Sequence, residues 1–179
     1  MSRAIGMIEL SSIARGIEVS DYMLKASKVD LIRTSTICPG KYVVIIGGDT
    51  GNVRSSIAEG EKWGGECVLD VLIIPNVHPD LIPAISLSNH VETRGALGVM
   101  EFFSVTSAIK AADFAAKAAN ITLIEVRIGF AIGGKGYVTL TGDVGSVRTA
   151  VTAASKQAEM LVGTAVIPMP EPRLFDHML

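Results

Sequence analysis

Residues 4–32 of this chain return, at an offset of 92, as residues 96–124. The segments AIGMIELSSIARGIEVSDYMLKASKVDLI and ALGVMEFFSVTSAIKAADFAAKAANITLI share Ala4/Ala96, Gly6/Gly98, Glu9/Glu101, Ser12/Ser104, Asp21/Asp113, Lys25/Lys117 and Leu31/Leu123. After a two-residue insertion, PGKYVVIIGGDTGNVR (39–54) matches GGKGYVTLTGDVGSVR (133–148) at an offset of 94. A repeat of about 90 residues is longer than a solenoid unit, so it is read as a duplicated globular domain. Two domains are expected, at 1–84 and 96–179, with a linker at 85–95 inside a Pro-, Ser- and Asn-rich stretch of roughly 76–94. Cys38, in the loop before the second matched block, aligns with Ile132 and has no counterpart.

Half the residues are apolar (49%), yet the formal net charge is only −2. No basic tract or aromatic-basic interleaving points to nucleic acid. Apolar runs end after about 5–9 residues, against the roughly 20 that a membrane helix requires, so no membrane partner is expected. No charged segment leading into an apolar core opens the sequence, which argues against a secretory signal. The expected compartment is the cytosol, where both cysteines stay reduced. A domain of this size has limited interior, so the apolar surplus points to an obligate oligomer.

Each copy reads as βαββαβ, the split βαβ topology of an α+β, ferredoxin-like fold. Strands are expected at Ala4–Leu10 and Ala96–Phe102, then Val29–Ile37 and Ile121–Ile128, Lys41–Ile46 and Gly136–Thr141, and Cys67–Ile74 and Leu161–Ile167. Ser12 and Ser104 are candidate N-caps for the first helices. Ile13, Ile17 and Leu24 fall near helical spacing in copy one, as do Val105, Ile109, Ala112 and Ala116 in copy two. Gly48-Asp49 and Gly142-Asp143 turn into a second helix, with Asp placed to cap it.

Most candidate sites have an ordinary structural reading. The Gly47-Gly48-Asp49-Thr50-Gly51 turn lacks the Lys-Ser/Thr of a phosphate loop and recurs in copy two, so it is a turn. Asp21/Lys25 and Asp113/Lys117 are (i, i+4) helix pairs whose retention in both copies suggests a shared contact role. Glu9 and Glu101 end equivalent strands without a nucleophile or His fixed nearby. His78, His90 and His177 lack metal-ligand spacing. Cys67 opens an apolar run and is expected to pack inertly. No catalytic residue emerges. Cys38 differs, because Ile37-Cys38-Pro39-Gly40-Lys41 should hold its thiol at a loop apex. The residues alone favour a free loop thiol. A threefold axis, however, would gather three thiolates, matching three corners of a cubane cluster.

The combination AIGMIEL, Asp21-x-x-x-Lys25-Ala26, Pro39-Gly40-Lys41, GGDTGNV and a strand ending in Ile-Pro resembles the bacterial microcompartment shell domain. The resemblance covers about 4–84 and 96–170, and two copies in one chain are similar to the tandem-domain shell proteins of that family. Within it, the Ile-Cys-Pro-Gly-Lys loop is similar to the propanediol-utilisation type. That implies a homotrimer imitating a hexamer, tiling edge to edge with other shell proteins in a microcompartment shell in the cytoplasm, and no enzymatic activity. It implies pore-lining roles for Ile37, Cys38, Pro39, Gly40, Ile132, Gly133 and Gly134, and tile-edge roles for Lys25 and Lys117 with Asp21 and Asp113 orienting them. It further implies one 4Fe-4S cluster per trimer on the threefold axis, held by one Cys38 per subunit, for electron transfer or cluster delivery across the shell. An encapsulated or cytosolic redox enzyme is admitted as a further partner. The family's Arg-Pro-His run is replaced by Pro75-Asn76-Val77-His78 and Pro168-Met169-Pro170, so edge contacts are expected to differ in detail. Two rival readings stand beside this one: a metabolite pore with free thiols, and a nucleotide-responsive ferredoxin-like regulator.

Overall fold

The computed structural model describes residues 4–89, 91, 95–129 and 132–176. His90 and His177 lie outside the described residues. The chain forms two compact units, Met1–Val77 with Gly129–Gly134 and His78–Ile128 with Lys135–Leu179.

In the first unit, β1 (Ala4–Leu10), α1 (Ile13–Ala26), β2 (Asp30–Ile37), β3 (Lys41–Gly48), α2 (Thr50–Gly64) and β4 (Val68–Ile74) follow in order. The sheet is antiparallel in the order β2-β3-β1-β4, so the first strand is central, as the split βαβ topology demands. Every residue of β1 is buried. Its Ala4, Ile8 and Leu10 meet Val44 and Ile46 of β3, Val19 and Met23 of α1, and Val53 and Ile57 of α2 in one core. Each large member contributes roughly 1.5–3 kcal/mol by leaving water. Gly6 is required here because a Cβ would come within 2.8 Å of the Val53 and Ile57 side chains. Gly98 is held to the same rule, with Leu140 at 2.7 Å and Val147 at 3.0 Å. The shared glycine therefore marks where the second helix of each copy lies against its sheet.

Ser12 caps α1 as expected, its hydroxyl accepting from the Arg15 N–H at 3.3 Å. The apolar face of α1 does not follow the expected spacing. The buried residues are Gly16, Val19, Ser20 and Met23, while Ile13, Ile17 and Leu24 are exposed. Close contact with α2 is the reason, since a Cβ on Gly60 would come within 2.8 Å of Met23 Sδ. Such proximity selects small residues over bulky ones. Cys67 precedes β4 and packs against the first core, in keeping with an inert role.

The second unit repeats the plan with β5 (Ala96–Phe102), α4 (Val105–Ala118), β6 (Ile121–Ile128), β7 (Gly136–Gly142), α5 (Val144–Gln157) and β8 (Leu161–Ile167), in the order β6-β7-β5-β8. Ser104 accepts from the Ser107 N–H at 3.2 Å and caps α4. Here the expected face is buried: Val105, Ile109, Ala112 and Ala116 are all 6% exposed or less. The Pro-rich stretch after β4 is not wholly irregular. It contains the short helix α3 (Leu81–Ile85), whose Leu81, Ala84 and Ile85 are fully buried and which packs on β6 and α4. After β8, α6 (Pro172–Asp176) buries Phe175 against Leu97 and Ile124. Asp143 caps α5 by accepting from the Ser146 N–H at 3.0 Å, whereas Asp49 stands at the N-cap of α2 without a side-chain cap bond.

Candidate functional site: the Cys38 loop

The β2–β3 connection is Cys38-Pro39-Gly40, with a cis peptide bond before the proline and Gly40 at φ +71°. Ile37 is 3% exposed and backs the loop; Cys38 is half-buried, and Pro39 and Gly40 are exposed. The tip of the β6–β7 connection belongs to the same compact unit, and the Cys38 N–H donates to the Gly129 carbonyl at 2.9 Å. Gly134 lies so near that a Cβ on it would come within 3.0 Å of the Cys38 carbonyl oxygen. Ile132 is half-buried and Gly133 exposed. Sequence reasoning named both loops but did not foresee this contact.

The base of each loop is tied by an ion pair. Lys41 Nζ reaches Glu9 Oε1 at 2.6 Å, where the Glu9 side chain is 7% exposed. Lys135 reaches Glu101 at 2.9 Å, with the carboxylate 40% exposed. The glutamates thus serve as anchors for lysines rather than as a paired acid and base. The signal was present, since Lys41 and Lys135 are retained at the same offset as the loops they follow.

The helix pairs diverge. Lys25 and Asp21 meet at 2.5 Å with both side chains exposed, and the hydrogen bond and charge of Asp21 raise the Lys25 pKa above its ordinary value. Lys117 and Asp113 also meet at 2.5 Å, but the Asp113 side chain is buried and accepts the His78 backbone N–H at 2.8 Å as well. His78 Nδ1 accepts from the Asp80 N–H at 3.3 Å. Among the described residues no group of three or more His, Cys, Asp or Glu could hold a metal ion within one chain.

One cluster went unnoticed in the sequence. The buried Glu125 carboxylate accepts from Arg127 Nε and, at 3.3 Å, from the Tyr137 hydroxyl. Burial, then the Glu125 charge, push the Tyr137 hydroxyl pKa up; the hydrogen bond to Glu125 raises that of Arg127. Its members align with Arg33, Ser35 and Val43, so no repeat signal marked it.

A duplicated antiparallel α+β scaffold with one unrepeated loop thiol defines a tandem-domain protein whose copies serve a common architecture. The BMC domain model matches twice, over residues 4–77 and 96–170. Over its whole length the chain is 46% identical to the bacterial microcompartment shell protein PduT of Citrobacter freundii, covering 99% of that protein. A crystal structure of a microcompartment protein from Desulfitobacterium hafniense DCB superposes with a TM-score of 0.95 at 48% identity, over 98% of this chain and 99% of that one. The carboxysome shell protein CcmK1 of Thermosynechococcus vestitus is 35% identical over 45% of this chain and 75% of its own length. The chain belongs to the BMC-domain family and is a tandem-domain structural shell protein of a bacterial microcompartment.

Proposed function

We propose that this shell protein is a trimeric tile, six pseudo-equivalent domains around a central pore, in which Cys38 of each subunit ligates one 4Fe-4S cluster on the threefold axis. One observation carries the reading: the unrepeated Cys38 thiol is half-buried at a loop apex whose main chain is held in place by the Gly129 carbonyl. The donor chemistry fits. Among the described residues one chain offers a single thiol there, so three chains offer three thiolates, the protein ligands for three corners of a cubane. The cluster would supply one-electron transfer across the shell. Cys38, Pro39, Gly40, Ile132, Gly133 and Gly134 would face the pore, with Ile37 packed behind them. Lys25 and Lys117 would lie at tile edges against neighbouring shell proteins, and an encapsulated or cytosolic redox enzyme would be the electron partner.

Anaerobic native mass spectrometry of the untagged protein, with Cys38→Ser alongside, tests this. The expected result is a trimer carrying the extra mass of one four-iron four-sulfur unit, lost in the mutant. A bare trimer after reconstitution with iron and sulfide would leave a pore lined by free thiols. A monomer or dimer would remove the tile reading altogether.

A further inference from the structure

The loop without a cysteine is built around the loop that has one. The first connection spans only 38–40, and the second spans 129–135 between the ends of β6 and β7. Copy two therefore has chain to spare, and two of its residues, Gly129 and Gly134, lie against Cys38. Gly129 accepts the Cys38 N–H at 2.9 Å and adopts φ +99°. A Cβ on Gly129 would run into the Ile37 side chain, which is 3% exposed. Gly134, at φ +80°, faces the other polar group of the same residue: its Cβ would come within 3.0 Å of the Cys38 carbonyl oxygen and 3.7 Å of Pro39 Cδ. The Cys38 main chain is thus hydrogen-bonded at its N–H and closely approached at its C=O.

Two neighbouring glycines show that this is more than a turn requirement. Gly40 (φ +71°) and Gly133 (φ +63°) share the left-handed conformation, yet a Cβ on either would meet nothing within 4 Å. At those positions glycine relieves backbone strain alone. At 129 and 134 it also makes room for the first loop. We propose that Gly129 and Gly134 are positioning residues for the Cys38 thiol: the copy-two connection, with Ile132 where copy one has Cys38, acts as a backbone splint for the loop of copy one. The splint acts on the thiol whatever the thiol binds, while its service to a cluster rests on the function proposed above. A single rigid loop direction matters for any symmetric trio of ligands, because a ligand displaced by about 1 Å no longer shares a site with its partners.

Cys67, partly buried just before β4, supplies an internal reference for the test. Cluster-free native protein is treated with iodoacetamide, and peptide mass spectrometry gives the ratio of labelling rates at Cys38 and Cys67. Gly134→Ala should change that ratio several-fold with the Cys67 rate unmoved, while Gly133→Ala, one residue away in a similar backbone conformation, should leave it at the wild-type value. Equal ratios in all three proteins, or equal shifts in both variants, would overturn the proposal. Should Gly134→Ala fail to fold, hydrogen exchange on the wild type decides: the Cys38 amide should be protected relative to Gly40. Exchange of both at the same rate would remove the splint. Neither readout requires bound iron, so failure of the cluster reading and failure of the splint are separable.

Discussion

Helices α1 and α4 descend from one segment and keep the same Asp–Lys pair, but they occupy opposite environments. Ile13, Ile17 and Leu24 of α1 are 39%, 57% and 38% exposed, while their counterparts Val105, Ile109 and Ala116 are 1%, 0% and 6% exposed. The difference has a visible source within the second unit. The segment after β4 folds into α3 and packs on α4 and β6, and it brings the His78 N–H to Asp113. Among the described residues, α1 packs on α2 and on the strands β1, β2 and β3 of its own sheet, and its outer face stays exposed. Retention of a residue in both copies therefore reports a common backbone geometry; what lies over that residue is decided elsewhere.

The largest test of this contrast is truncation of the aligned isoleucines. Ile109→Ala should cost about 2–5 kcal/mol, because it deletes fully buried methyl groups in a packed site. Ile17→Ala should cost no more than about 0.5 kcal/mol in unfolding of the dissociated subunit, as expected for a surface position. Urea denaturation at low protein concentration separates the two. Comparable losses would mean that α1 is covered within the chain as α4 is.

Next in size is the pair of aspartates. Asp113→Ala removes the buried carboxylate that accepts the half-buried His78 N–H and pairs with Lys117, and should cost about 1–3 kcal/mol. Asp21→Ala, on an exposed pair, should leave the melting temperature unchanged within error. A matching loss at Asp21 would show that the exposed pair carries a tertiary contact, and the environment argument for α1 would fall.

These contrasts also mark what local sequence conveys. The pattern in AIGMIEL and ALGVMEF placed β1 and β5 to the residue, because a central strand tolerates only apolar or small residues apart from its penultimate Glu. The repeat carried the topology with it, since both copies must close the same sheet. The face of α1 was misread because periodicity counts apolar side chains, whereas packing buries Gly16 against Tyr42 of β3 and Val19 and Met23 in the core shared with α2. Helix α3 was missed because five residues including Pro83 have no intrinsic tendency to form a helix alone; burial of Leu81, Ala84 and Ile85 holds it. The unusual status of Cys38 was legible as a broken repeat. Its brace was not, because the contact from Cys38 to Gly129 joins residues far apart in the chain, and no local pattern encodes such a contact.

The smallest expected effect separates two aspartates that the sequence treats alike. Asp49 and Asp143 both follow a glycine and precede a helix, yet only Asp143 accepts a bond from the first turn. Asp143→Ala should lower the melting temperature modestly and Asp49→Ala should not. The hydrogen bonds from Ser146, side chain first and then backbone, hold the Asp143 carboxyl below its ordinary value. A depressed folded-state pKa means that the stabilisation is present above the unfolded value of about 4 and is lost as pH falls through the lower folded value. The gap between wild type and Asp143→Ala should accordingly be full at neutral pH and shrink on acidification. A gap that holds constant into acid would show that the cap acts through backbone shape rather than through the ionised carboxylate, and the two turns would then differ in geometry alone.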